Sequence, residues 1–315
     1  MIIDIVFTWV DHTDKEWMKK KKQDAIECNA KYNVNNRYNS NLNEIIWAIR
    51  SIEKYFKNKY RNIFFVTNAG KLPKFFKKCK NLIPIHDEDL VGTTSYNSCT
   101  IETCLHKIPD LSEYYLYFND DMILNKNLHI KDLITDDGKL IWYSESNKLA
   151  NNLSKIYTRY PFMNKVFNLK DGGCIIARNK TNKLLKLNKP PKPIAHSPRI
   201  FKKSLVEKFI DVFSKQINEQ RHRKFRSSED FCFVDAFCFY FEKNNLLEYR
   251  DDYETKILCQ FDNIVISKIM NNIVDDINNC KFICVEDYRE GYEIDEYCKE
   301  ILDDLFPFPC KYEIK

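Results

Sequence analysis

Asn119, Asp120 and Asp121 stand directly behind the apolar run Tyr114-Tyr115-Leu116-Tyr117-Phe118. A run of that composition fills a buried strand, so two carboxylates and an amide fall at a strand's carboxyl end, where open α/β sheets bind ligands. Adjacent carboxylates are hard oxygen donors, and on Asp120 and Asp121 they suit Mg²⁺ or Mn²⁺ carrying a phosphate. The plain alternative is a turn, which Asn and Asp also favour. Trp9 and Asp11 close the apolar stretch 2–10 in the same way, and Asn68 follows the stretch 63–66. His196 comes after a proline-rich connector and before a helix opening, a position for a general base at neutral pH. Its alternative is a histidine bonded only to backbone. Arg226 precedes a second helix opening, where a guanidinium and the open amides of a first turn can clasp one phosphate; its alternative is an ion pair with Glu229 or Asp230. Arg37, in a long loop, and Arg50, on a helix, are further binding candidates. His106 and Asp235 read as core polar groups with partners, and His86 as part of a solvated acidic loop.

Elements able to hold these residues follow from the apolar pattern. Residues 2–10 form a first strand buried on both faces. Residues 12–40 give a short helix and then a long polar loop, a length that is usually functional or mobile. Ile45, Ile49, Ile52 and Phe56 recur at helical spacing over 43–56, with Asn41 or Asn43 as cap. Strands follow at 63–66, 82–85 and 114–118, with a helix over 100–108. Strands alternating with helices predict a Rossmann-like α/β fold, a mostly parallel sheet flanked by helices. The missing GxGxxG after the first strand disfavours a dinucleotide site. Residues 140–144 and 173–177 read as strands and 189–193 as an extended connector. Pro198 opens a helix carrying Leu205, Phe209, Ile210 and Phe213. Another helix starts at Ser227 or Ser228, with Glu229 and Asp230 in its first turn. A strand over 281–285 and a helix over 294–305 close a more helical second half. Residues 1–125 would form the α/β half, and residues 126–315 would complete the same single domain.

The 315 residues suffice for one large or two medium domains. Fifty basic residues against 45 acidic ones, a formal charge of +5, are too balanced to argue for nucleic acid. A mean hydropathy of -0.50, with no apolar run of spanning length, excludes a transmembrane helix. The N-terminus lacks the basic and small-residue features of a signal peptide, so the expected location is cytoplasmic. Lys19 to Lys22 reads as a solvated helix face, with attachment to an anionic membrane surface as the alternative. Twelve cysteines without a CxxC pair read as reduced, mostly buried small residues, and that spacing disfavours zinc.

Six blocks, in order from residue 2 to about 313, resemble the signature regions of the Stealth proteins: IDIVFTWVDHTDKEW; RYNSNLNEIIWAIRSIEKYF with NIFFVTNAGKLPKFF; NSCTIETCLHKIPDLSEYYLYFNDDM; AHSP; KFRSSEDF; and KFICVEDY with LFPFPCKYE. That family contains bacterial capsular-polysaccharide phosphotransferases and the catalytic part of the lysosomal-enzyme N-acetylglucosamine-1-phosphotransferase. The resemblance implies transfer of a sugar 1-phosphate from a nucleotide sugar, typically UDP-N-acetylglucosamine, to a hydroxyl of a glycan or glycoconjugate acceptor. It also implies a divalent-metal and pyrophosphate site at Asp120 and Asp121, a base at His196, a phosphate clamp at Arg226, and a nucleotide end lined by the block around Trp9 and Asp11. The short stretch between Leu124 and AHSP leaves no room for the acceptor-binding insert of the larger animal enzyme, whose membrane spans are missing as well, so acceptor identity does not transfer. Two rival readings share these residues: a metal-dependent glycosyltransferase that releases a nucleoside diphosphate, and an inactive nucleotide-sugar-binding homologue.

Overall fold

The computed structural model describes residues 1–30, 42–144, 172–187, 192–251, 255–259, 280–286 and 292–314. Its strands are β1 (Ile3–Trp9), β2 (Ile63–Thr67), β3 (Leu82–His86), β4 (Tyr114–Asn119), β5 (Met122–Leu124), β6 (Leu140–Ser144), β7 (Arg199–Lys202), β8 (Leu247–Asp251), β9 (Thr255–Cys259) and β10 (Phe282–Glu286). Its helices are α1 (Lys15–Glu27), α2 (Ile45–Tyr55), α3 (Asp87–Val91), α4 (Ser98–Glu102), α5 (Gly172–Leu184), α6 (Lys203–Val212), α7 (Ser214–Arg221), α8 (Phe233–Lys243) and α9 (Tyr292–Leu305).

β1 is the middle strand of a five-stranded sheet ordered β3-β2-β1-β4-β7. The first four strands are parallel and β7 closes the edge antiparallel to β4. The predicted Rossmann-like α/β architecture is therefore present. Strands covered on both faces need apolar residues throughout, and Ile3, Ile5, Val6 and Phe7 are all buried. The Phe7 ring lies 5.4 Å from Phe65 and 4.9 Å from Phe118, which ties β1 to both neighbours. Asp4 interrupts this run and is fully satisfied. Its carboxylate accepts from the Arg61 guanidinium, from Asn62 N–H at 3.0 Å and from Ser112 N–H at 2.7 Å. That knot holds the amino end of the sheet and leaves the carboxyl end for the site.

The second half of the chain returns to this frame twice. β7 places Arg199 opposite Tyr117, and β10 pairs antiparallel with β5, setting Cys284 opposite Met122. β10 also runs parallel to β9, and β6 runs parallel to β8. An aromatic cluster anchors β7: Phe201 stacks on Tyr115 at 5.3 Å and meets Trp142 and Phe237 at 4.9 Å each.

Several local expectations are corrected. α2 begins at Ile45 with Glu44 in the cap position, its side chain making no capping hydrogen bond, while Asn43 takes a left-handed backbone (φ 55°) in the preceding turn; Asn41 lies outside the described residues. Residues 173–177 are helical, within α5, because Ala177 and Thr181 share one buried face and the Thr181 hydroxyl bonds the Ala177 carbonyl at 3.0 Å. Pro198 opens β7, and the helix follows from Lys203, since Ile200 and Phe201 are taken by the sheet edge. The Ser227 region forms a turn around buried Asp230, whose carboxylate accepts the Ser227 N–H at 3.0 Å; α8 starts only at Phe233. His86 and the acids behind it form a capped helix, α3, in which burial pushes Asp87 up to about 6 against the opposing charge of His86. The helix expected over 100–108 divides into α4 and a 3₁₀ turn at Leu105–Lys107. Lys19 to Lys22 is not uniformly solvated: Lys20 bonds Thr94 and Glu88, and Lys21 is buried over the Trp17 ring at 5.2 Å.

Candidate active site

Three parallel strands end level with one another, Trp9 opposite Thr67 and Thr8 opposite Asn119, so their following residues share one edge. Asn68 is buried there and binds the β1–α1 turn, accepting the Asp11 N–H at 2.7 Å and donating to the Asp11 carbonyl at 3.4 Å. The Asp11 carboxylate accepts from the Thr13 N–H and hydroxyl at 2.9 and 2.6 Å, which folds the turn leading to α1. Trp9 packs half-buried against the core. These residues shape the rim.

At the end of β4 the chain reverses in a tight turn, in which the Asn119 N–H points to Met122 Sδ at 3.5 Å. Asp120 is half-buried in that turn and Asp121 is buried. The Asp121 carbonyl accepts the Val285 N–H at 2.9 Å, so β10 is registered on this turn and delivers Cys284 beside it. His196 arrives from the segment before β7, fixed by the Ala195 N–H bonding the Tyr143 carbonyl at 2.8 Å. Its Nδ1 lies 3.6 Å from Cys284 Sγ. One ligand atom from each of Asp121, His196 and Cys284 lies within 4.8 Å of the other two, a group able to hold a metal ion. Mg²⁺ is usually bound through one or two carboxylates plus phosphates. Asp121 with its neighbour Asp120 meets the protein's share of such a site, whereas the imidazole and thiol are softer donors.

A second cluster lies on the sheet face beneath this edge. Tyr117 shares a hydrogen bond with Thr8 at 3.1 Å and donates to Glu102 Oε1 of α4 at 3.3 Å. Burial pushes the Glu102 carboxyl up to about 7, and the charges of Arg199 and Arg226 pull it back. Burial, and then the Glu102 charge, raise the Tyr117 hydroxyl far above its usual value. Arg199 is buried and donates to the Ala195 carbonyl at 3.0 Å, next to His196. Arg226 is exposed and donates to Ser98 Oγ at 2.6 Å, not to Glu229 or Asp230. Glu102 thus feels the charges of both Arg199, which bonds the segment carrying His196, and Arg226.

Among the described residues, one candidate does not join them. Arg50 turns to the C-terminal tail, with Nε and Nη2 each 2.8 Å from the Glu313 carboxylate and Nη1 2.8 Å from the Phe306 carbonyl. A guanidinium so engaged is a structural clamp rather than a donor-binding group. Arg37 lies outside the described residues. Of the remaining polar groups, Asp235 pairs with Arg178 at 2.7 Å, and His106 is pushed down to about 4, by burial and then by the charge of Arg221. Glu102, Arg199 and Cys284 were not singled out from sequence. Glu102 sits inside the block NSCTIETCLHKIPD and Cys284 inside KFICVEDY, the one signal available for them.

The family model described as Stealth protein CR2, conserved region 2, matches residues 37–141, a span that contains α4, β4 and the Asp120–Asp121 turn. The capsular polysaccharide phosphotransferase fcs1 of Haemophilus influenzae is 29% identical over 274 residues, covering 83% of this chain and 70% of its own. Over residues 37–141 the chain thus resembles the Stealth proteins. A second relative, the capsular polysaccharide phosphotransferase cps12A of Actinobacillus pleuropneumoniae, is 25% identical over 326 residues, covering 96% of this chain and 81% of its own. Among solved structures, galactosyltransferase LgtC with donor and acceptor sugar analogues aligns over 96% of this chain and 95% of its own at 11% identity and a TM-score of 0.48. No helix among the described residues is long and apolar enough to cross a membrane.

Proposed function

We propose that this chain transfers a hexose or N-acetylhexosamine 1-phosphate from a nucleotide sugar of the UDP-N-acetylglucosamine type to a hydroxyl of a capsular glycan, releasing a nucleoside monophosphate. The observation that carries this reading is the meeting of Asp121 and His196 at the carboxyl edge of the sheet. They are 75 residues apart in a chain whose relatives are capsular polysaccharide phosphotransferases.

His196 takes the proton from the acceptor hydroxyl. The oxygen then attacks the sugar-bearing phosphorus, and the bond to the bridging oxygen of the pyrophosphate breaks as the nucleoside monophosphate leaves. Phosphoryl transfer depends chiefly on positioning and electrostatics. Arg226, an exposed guanidinium that donates to Ser98 Oγ and whose charge acts on Glu102, is the group assigned to the transferred phosphoryl oxygens. Asp121 with Asp120 would hold a hard divalent ion, Mg²⁺ or Mn²⁺, which when bound would supply positive charge to the pyrophosphate. Trp9, Asn68, Asn119 and the Asp11 turn form the wall against which the nucleotide end rests. Residues 1–125 supply the donor wall, and residues 126–315 bring His196 and Arg226 to complete one catalytic unit.

Purified protein incubated with a panel of nucleotide sugars, Mg²⁺ or Mn²⁺ and short glycan acceptors tests this reading. The expected products are a nucleoside monophosphate and a phosphodiester-linked sugar, identified by mass. A nucleoside diphosphate would instead mean attack at the sugar carbon and would overturn the proposal.

A further inference from the structure

We infer that Asp121, His196 and Cys284 form a three-ligand site for a thiophilic divalent ion of the Zn²⁺ class, and that filling it removes His196 from acid–base service. The second half of this inference rests on the reading of His196 as the base. The first half stands on geometry alone.

A four-coordinate Zn²⁺ site combines Zn–N of about 2.0–2.1 Å with Zn–S of about 2.3 Å, which at a tetrahedral angle puts the nitrogen and sulfur about 3.5 Å apart. Cys284 Sγ and His196 Nδ1 are 3.6 Å apart. The carboxylate of Asp121 falls within 4.8 Å of both, so all three donors can face one point. Three protein ligands leave a fourth position for water or a phosphate oxygen, as in open zinc sites. Thiolate and imidazole donors favour Zn²⁺ and its neighbours over Mg²⁺ or Mn²⁺. Asp121 and Cys284 are buried, and the ligands sit on a strand end, a strand and a segment anchored by backbone bonds, so the ordering entropy of assembling the site is already met by the fold.

On binding, the Cys284 thiol releases its proton to solvent and the sulfur bonds the ion, while His196 Nδ1 donates its lone pair. A ligated imidazole cannot take the acceptor's proton, and Asp121 cannot serve a hard ion at the same time. The site therefore makes the enzyme sensitive to thiophilic metals, which withdraw both the proton acceptor and a hard-ion ligand.

Co²⁺ provides a probe that does not depend on turnover. Reduced, chelator-treated full-length protein is titrated with Co²⁺ without oxygen, and the near-ultraviolet thiolate-to-metal absorption is followed. The expected result is a band that saturates at one ion per chain, is lost in Cys284→Ser, and in His196→Ala needs far more Co²⁺, beyond the roughly 10–100-fold weakening that loss of an outer partner causes. Absence of the band in wild type, or an unchanged band in both variants, would overturn the site. In parallel, Zn²⁺ added to the Mg²⁺-supported reaction should inhibit, with chelator restoring turnover. Co²⁺ binding at the triad with turnover indifferent to Zn²⁺ would overturn the exclusion of His196. If the phosphosugar assay itself gives no product, the absorption experiment still decides the site.

Discussion

Glu102 and His196 both carry atoms able to accept a proton, yet their surroundings differ, and single substitutions separate them. A general base contributes roughly 10²–10⁴-fold to rate. His196→Ala is expected to lower turnover by about that factor while the dissociation constant for the nucleotide sugar, read by calorimetry, stays within about threefold of wild type. Loss of donor affinity with unchanged turnover would contradict the role. Glu102 faces Tyr117, Arg199 and Arg226, and burial has pushed it up to about 7. Its negative charge therefore develops across the neutral range and tightens its hold on Arg226 as pH rises. Glu102→Gln is expected to flatten the pH profile of turnover between about pH 6 and 8, with the larger loss at the alkaline end. A profile parallel to that of wild type would show that Glu102 does not position the clamp. His196 was legible in the sequence from its place behind the proline-rich connector, whereas Glu102 was within reach only as a letter in a block, because no spacing rule connects a short helix to the strand it faces.

β7 governs the site at the scale of elements. Its four residues close the sheet edge, and the segment immediately before it carries His196, so packing of Phe201 against Tyr115, Trp142 and Phe237 fixes where the imidazole sits. Removing a buried Phe side chain costs about 3–5 kcal/mol. Phe201→Ala should lower stability by that amount in urea denaturation, and any residual folded enzyme should lose turnover as well, since the edge strand and His196 move together. The helix periodicity after Pro198 was legible and α6 is present, but Ile200 and Phe201 look identical in a helix or a strand; only the vacant edge beside β4 decides for the strand. The β2 end shows a second constraint. Gly70 has φ +60°, and a Cβ there would lie 3.0 Å from that of His86. Gly70→Ala is expected to destabilise by at least the roughly 1–2 kcal/mol of a left-handed non-glycine residue, seen as a lower melting temperature with an unchanged donor preference.

Across the whole molecule, buried Asp87 and half-buried Glu102 and His106 make stability depend on pH in opposing directions. Glu102 and Asp87 are pushed up to about 7 and about 6, so the folded chain keeps their protons to higher pH than the unfolded chain does. Their stabilising contributions are complete below the ordinary carboxylate range and are lost as pH rises through about 6 and 7. His106 is pushed down from 6.5 to about 4, so its contribution is present above the ordinary histidine value and is lost as pH falls toward 4. Glu102→Gln should be more stable than wild type at about pH 8, by on the order of 1–3 kcal/mol, with the advantage gone by about pH 5. Urea midpoints at several pH values check this, and a constant difference would refute it. The tail is held by the mostly buried Arg50–Glu313 pair and by Tyr312, whose hydroxyl meets those of Tyr60 at 3.1 Å and the Asn81 amide at 2.7 Å. Breaking one partner of a buried pair costs about 3–5 kcal/mol, so Arg50→Met should destabilise strongly without changing which nucleotide sugar is used.

The order of apolar runs determined the parallel sheet, because a strand covered on both faces has to be written in apolar residues and its polar successors have to fall at one edge. That put Asp121 forward as a site candidate from sequence alone, and the six signature blocks carried the resemblance to the Stealth proteins. Tertiary structure alone decided the partners. Arg50 went to the tail because Glu313 folds back over α2, and Glu102 gained its proton affinity from burial among β4 and β7. Cys284 met His196 because β10 returns antiparallel to β5. Each of these meetings joins residues far apart in the chain, and a linear pattern carries no term for such distances.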